Sequence, residues 1–142
     1  MVRLALLAIC LLPIAVLTPI LEISPTHVSN PDWPGHARLH EVWQLITHAA
    51  IAALALWLAW AKGQMRLASL LGLLVNSGFL ASVLLAPAYG GTMQHSDGTE
   101  LTVGGVNLAV AIMIVATAVL LGLNLTSPKI SSPPVGVGGN AQ

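Results

Sequence analysis

Charged side chains are scarce in this chain: five Lys or Arg and five Asp or Glu stand among 142 residues, of which 56% are hydrophobic. A soluble globule of this length needs more polar surface than that, so the composition places the chain in lipid. With zero net charge and no Lys/Arg run, neither nucleic acid nor an anionic surface is expected as an electrostatic partner; the expected partner is the lipid bilayer, through its hydrocarbon. The lone Cys10, inside an apolar run, excludes an internal disulfide and reads as a buried, inert thiol. Absent motifs narrow the chemistry further. There is no Cys-x-x-Cys, no Gly-x-Ser-x-Gly, no phosphate-cradling Gly loop and no His-Glu-x-x-His, so no catalytic residue set can be named.

What is present is four apolar stretches, Leu4–Leu21, Val42–Ala61, Leu67–Ala88 and Gly104–Leu125. Each is long enough to cross about 30 Å of hydrocarbon, which takes roughly 20 residues. The expected fold is all-α, a polytopic membrane four-helix bundle forming a single domain over residues 1–126, with residues 127–142 as a disordered tail rich in Ser, Pro and Gly. In the second span, Trp43 at one end and Trp57 and Trp60 at the other read as interfacial anchors; the 17 steps from Trp43 to Trp60 cover about 26 Å. Pro13 and Pro19 predict a kinked first helix, retained rather than cleaved as a signal peptide. Small pairs four apart (Ala68/Gly72, Gly78/Ser82, Gly105/Ala109, Ala118/Gly122) predict close helix contact, within the protomer or between copies in a homo-oligomer.

Charge sets the orientation. If the short turn Lys62–Arg66 is cytoplasmic, that side holds Arg3, Lys62, Arg66 and Lys129 and the other only Arg38, which puts both termini inside. All five acids and four of the five histidines then fall outside. Nothing in the spans selects a bacterial inner membrane over an organelle membrane.

Four histidines, His27, His36, His40 and His48, lie between Thr26 and the first turns of the second span. Asn30-Pro31-Asp32-Trp33-Pro34 carries helix-start signals, with Asn30 or Asp32 as cap, and predicts a helix from about Trp33. His36, His40, Gln44 and His48 then form one stripe at four-residue intervals, with Arg38 and Glu41 able to pair beside it. Two imidazoles at i and i+4 can grip one divalent metal ion. The missing ligands would come from His95, Asp97 and Glu100 on the opposing outer loop. The plainer alternative is interfacial histidines bonded to loop carbonyls. Membrane di-iron hydroxylases, which need several histidine boxes, are excluded by a count of five; bis-imidazole haem is disfavoured because only His48 is clearly within a span. His48 should have polar partners, with Asn76, Ser82 and Asn107 the candidates, either as a relay or pocket or as interhelical hydrogen-bond glue.

The run Asn30-Pro31-Asp32-Trp33-Pro34-Gly35-His36-Ala37-Arg38-Leu39-His40-Glu41-Val42-Trp43-Gln44 resembles the signature of an uncharacterised family of small four-span membrane proteins, in which an Asn-Pro-x-Trp-Pro-x-His-Ala-Arg-x-His loop precedes the second helix. The resemblance implies four helices and a motif resting on His36, Arg38 and His40, and brings no activity with it. Two functions are therefore expected as alternatives. One is an outer-face His/carboxylate site for a metal ion or small ligand. The other is a noncatalytic scaffold or accessory subunit that docks a membrane partner through Trp33 and the loop around it.

Overall fold

A computed structural model describes residues 1–128, so Lys129 and the expected tail beyond it lie outside the described residues. Four helical rods are long and apolar enough to cross a membrane: Val2–Glu22, Gly35–Ala61, Met65–Tyr89 and Leu108–Leu125. The first comprises α1 (Val2–Leu12), a π-helical turn (Pro13–Leu17) and α2 (Thr18–Glu22). The expected proline irregularity is this turn: the Thr18 N–H reaches back five residues to the Pro13 carbonyl, and the rod continues without a break. The other rods are α3 (Gly35–Ala61), α4 (Met65–Tyr89) and α5 (Leu108–Leu125).

Two expected boundaries move, each for a local reason. The helix that runs into the second span begins at Gly35 rather than about Trp33, because Asn30 closes a turn of its own, its Oδ1 accepting the Asp32 N–H at 2.9 Å; Pro34 takes the cap position with no side-chain cap. The fourth begins at Leu108 rather than Gly104. Gly104 and Gly105, with φ of +59° and +79°, make the turn of a short hairpin, β1 (Thr102–Val103) against β2 (Val106–Asn107). Asn107 then caps α5, its Oδ1 accepting the Ala109 and Val110 N–H groups.

The core follows helical spacing on each rod: Leu7, Leu11 and Ile14; Ala52, Ala55 and Leu58; Ala68; Met113, Ala116, Leu120 and Leu123. Cys10 is buried among them. Gly72 permits the closest approach: a Cβ there would stand 3.0 Å from both Leu11 and Leu120, so α4 meets α1 and α5 where a side chain is missing. Gly78 and Gly122 have no such neighbour and Gly105 is in the hairpin turn, so of the four small pairs only Ala68/Gly72 serves contact within the protomer.

Polar groups tie the ends. The Arg3 guanidinium donates to the Leu123 carbonyl and to the Thr126 and Ser127 hydroxyls, and the Asn124 amide donates to the Arg66 carbonyl at 2.8 Å and meets Ser69 at 3.3 Å. One end of the bundle therefore holds Arg3, Lys62 and Arg66. Seven residues along each antiparallel helix from Ser69 and Asn124 come Asn76 and Thr117. Asn76 is buried and Thr117 half-buried, and the buried polar atoms of both side chains are unpartnered.

Gly72→Leu is expected to destabilise the bundle by about 1–3 kcal/mol through overpacking, whereas Gly122→Ala should be neutral or stabilising. Unfolding midpoints in detergent check this, and equal effects would refute the assigned contact. By the same measurement Asn124→Leu should cost about 0.6–2 kcal/mol, while Asn76→Leu, which has no bond to lose, should cost nothing.

Candidate functional site

The length of α3 sets the site. Its 27 residues span about 40 Å, some 10 Å more than a bilayer's hydrocarbon, and its N-terminal turns are the polar ones. His36 and His40 sit on those turns, ahead of the exposed Trp43. Because one helical turn separates them, their rings converge: Nε2 to Nε2 is 3.0 Å, with ring centroids 4.4 Å apart and planes at 81°. Without a metal, one ring donates and the other accepts. The His40 ring also lies 5.9 Å from Trp43.

The other expected ligands are committed elsewhere. His95 faces His27, with ring centroids 5.0 Å apart. Asp97 accepts the Thr99 hydroxyl at 2.6 Å and its N–H at 2.9 Å, bonds that hold its carboxyl below the usual carboxylate range, the hydroxyl contributing most. Glu100 accepts the Asn107 amide at 3.0 Å, which removes Asn107 as a partner of His48. Among the described residues, no three His, Cys, Asp or Glu side chains converge as a metal ion would require. The expected gathering of His36, His40, His95, Asp97 and Glu100 is therefore replaced by a two-imidazole pair and a separate loop cluster.

That cluster is centred on His27. Its Nδ1 lies 2.9 Å from the Thr26 hydroxyl and its Nε2 3.5 Å from Glu22 Oε2, the one approach within 4 Å of a basic side chain to a carboxylate among the described residues and an ion pair only when the ring is protonated. Arg38 and Glu41 thus do not pair; Glu41 stands instead near enough to Glu22 and His27 for their charges to act on it. Trp33 packs edge-on to His27 at 5.5 Å between centroids. Ser96 closes the clasp between the two outer loops, donating to the Thr26 carbonyl at 2.7 Å and accepting from the Asn30 amide at 3.1 Å. Burial pushes the His27 imidazole below its ordinary value, the neighbouring His95 adds to the shift, and Glu41 and Asp97 oppose it. The His27–Glu22 contact escaped the sequence argument because no spacing rule joins a helix end to the irregular loop that follows it. The available signal was an acid at the end of an apolar run, which needs a nearby partner.

His48 faces a cavity of about 440 Å³ that Gln44, Thr47 and Ser82 also line. Ser82, one of its expected partners, turns its hydroxyl back to the Phe79 carbonyl at 2.7 Å. Asn76 is buried and is not among the residues lining that cavity.

A depressed imidazole has a definite sign in stability. The folded clasp resists the proton that the unfolded loop accepts, so its stability is full above the ordinary value of about 6.5 and falls as pH drops through it toward the lower folded value. Amide protection over residues 24–34 and 92–100, corrected for intrinsic exchange, should fall between pH 7.5 and pH 5.5, and His27→Gln should flatten the profile. Protection that is constant or rises on acidification would refute the role assigned to His27.

No protein-family model, curated protein or solved structure matches the chain.

Proposed function

We propose that the chain is a four-span membrane protein with both termini in the cytoplasm, and that it binds a divalent metal ion on its outer face through His36 and His40. The observation that carries this reading is the 3.0 Å separation of the two Nε2 atoms. Two imidazoles about 2.0–2.1 Å from one tetrahedral Zn²⁺ lie roughly 3.3 Å apart, so the pair needs only a slight opening to act as a two-donor grip. Water, a small ligand or a side chain from a docked membrane protein or second copy supplies the remaining positions, leaving the ion open to exchange. Orientation is supported by the segregation of Arg3, Lys62 and Arg66 at one end and by the exposed Trp43, Trp57 and Trp60 along α3. Lys62 lies 5.1 Å from the Trp57 ring centroid, a cation–π contact at the proposed cytoplasmic interface.

Purified full-length protein titrated with Zn²⁺ should bind about one ion per chain, and either His36→Ala or His40→Ala should weaken binding at least tenfold, about 1.4 kcal/mol. Because a ligating imidazole must be neutral, binding should weaken steadily from pH 8 to pH 5. Clearly substoichiometric metal, or a profile flat across that range, would overturn the proposal. A folded double variant that binds no metal but also loses a co-purifying partner would move the weight to the docking role of the same face.

A further inference from the structure

The cavity beside His48 lies within the rods rather than on the outer face, and its lining is graded along the membrane normal. Thr18, Gln44, Thr47, His48 and Ser82 line it, and each sits toward the outer end of its rod: Thr18 at the start of α2, one turn before the first rod ends, residues 44–48 a few turns into α3, and Ser82 two turns before the end of α4. Deeper in, the lining is Ile51, Leu71, Val75 and Phe79. No Lys, Arg, Asp or Glu lines it, so it offers hydrogen bonds and no countercharge. Its volume of about 440 Å³ suits a small-molecule site, for which roughly 300–1,000 Å³ is usual.

The cavity is also reachable from lipid. Leu74 lines it and is 62% exposed on the outside of α4. A shallower groove, formed by His40, Trp43, Gln44, Thr47 and His48, shares three of its residues with the cavity and leads up α3 to the Trp43 level. An occupant that enters sideways between the rods thus meets hydrocarbon side chains with its tail and an imidazole, an amide and hydroxyls with its head.

We infer that this cavity binds an uncharged, lipid-soluble amphiphile with a hydrogen-bonding head, the head at His48, Thr47 and Gln44 and the tail along Leu71 and Phe79. A charged carboxylate or phosphate head is disfavoured because it would be desolvated without a cation to meet it. A plain hydrocarbon is disfavoured because it would leave the polar end unpaired. The inference is independent of metal at His36 and His40, and its test is run with a chelator present.

The full-length protein in phosphatidylcholine vesicles is labelled with a long-chain alcohol that carries a mid-chain diazirine, in parallel with the fatty acid and the alkane of the same length and diazirine position. Crosslinks are mapped by mass spectrometry. The alcohol should label the stretch from Leu71 to Phe79 about fivefold more than either comparison probe, the size of one net hydrogen bond. Gly78 lines the cavity and a Cβ there meets nothing within 4 Å, so Gly78→Leu puts its side chain into the open space and should reduce labelling severalfold while the protein stays folded. His48→Leu should keep the labelling and erase the preference for the alcohol. Equal labelling by the three probes, labelling undiminished in a folded Gly78→Leu variant, or an alcohol preference that survives His48→Leu would each overturn the inference.

Discussion

Hydrocarbon offers no hydrogen bonds, so a polar group inside it must be paired by the protein or carried to an end of a rod. Nearly every polar contact in this molecule obeys that constraint. Arg3, Arg66, Asn124 and Ser127 are tied together at one end, and Glu22, His27, Asn30 and Ser96 at the other. The prolines of the first rod are absorbed by a π-helical turn rather than a break, for the same reason. Among the described residues, Asn76 and Thr117 have fully buried polar atoms without partners in the α4–α5 layer, and there they cost stability that the apolar layers around Gly72 and Leu120 must supply.

The same sorting creates the two sites. The first turns of α3 leave His36 and His40 exposed, spaced by the helix itself. Farther down the same stripe, Gln44, Thr47 and His48 pass below the Trp43 level and face a space that α4 leaves open at Gly78. One helical face thus runs from an exposed imidazole pair to a cavity lined by both polar and apolar side chains. The loop clasp around His27 is a third arrangement, joining the connection before α3 to the one before α5 and placing His95 away from the pair it was expected to complete.

Much of this was legible in the residues. The four spans follow from run length, and the His36–His40 approach follows from a helix that carries residues four apart on one side. The irregular first rod follows from Pro13 and Pro19. Boundaries were misread where loop residues made local bonds of their own: Asn30 closes a turn instead of capping α3, and Gly104-Gly105 turns a hairpin instead of opening α5. The carboxylates of the expected ligand set were lost to equally local competition, Asp97 to Thr99 and Glu100 to Asn107.

What the amino-acid order determined by itself is whatever depends on neighbours along one chain segment: the number of rods and their apolar cores, the register of the histidine stripe, and the end to which each charge belongs. Tertiary structure decided which loops meet. Contacts such as His27 with His95, Ser96 with Thr26, and Leu11 with Leu120 over Gly72 join positions far apart in the chain, and they exist only once four rods have chosen their rotation and depth against each other. That choice is set by the fit of side chains across helix faces, a property of pairs of surfaces that no single stretch of residues carries.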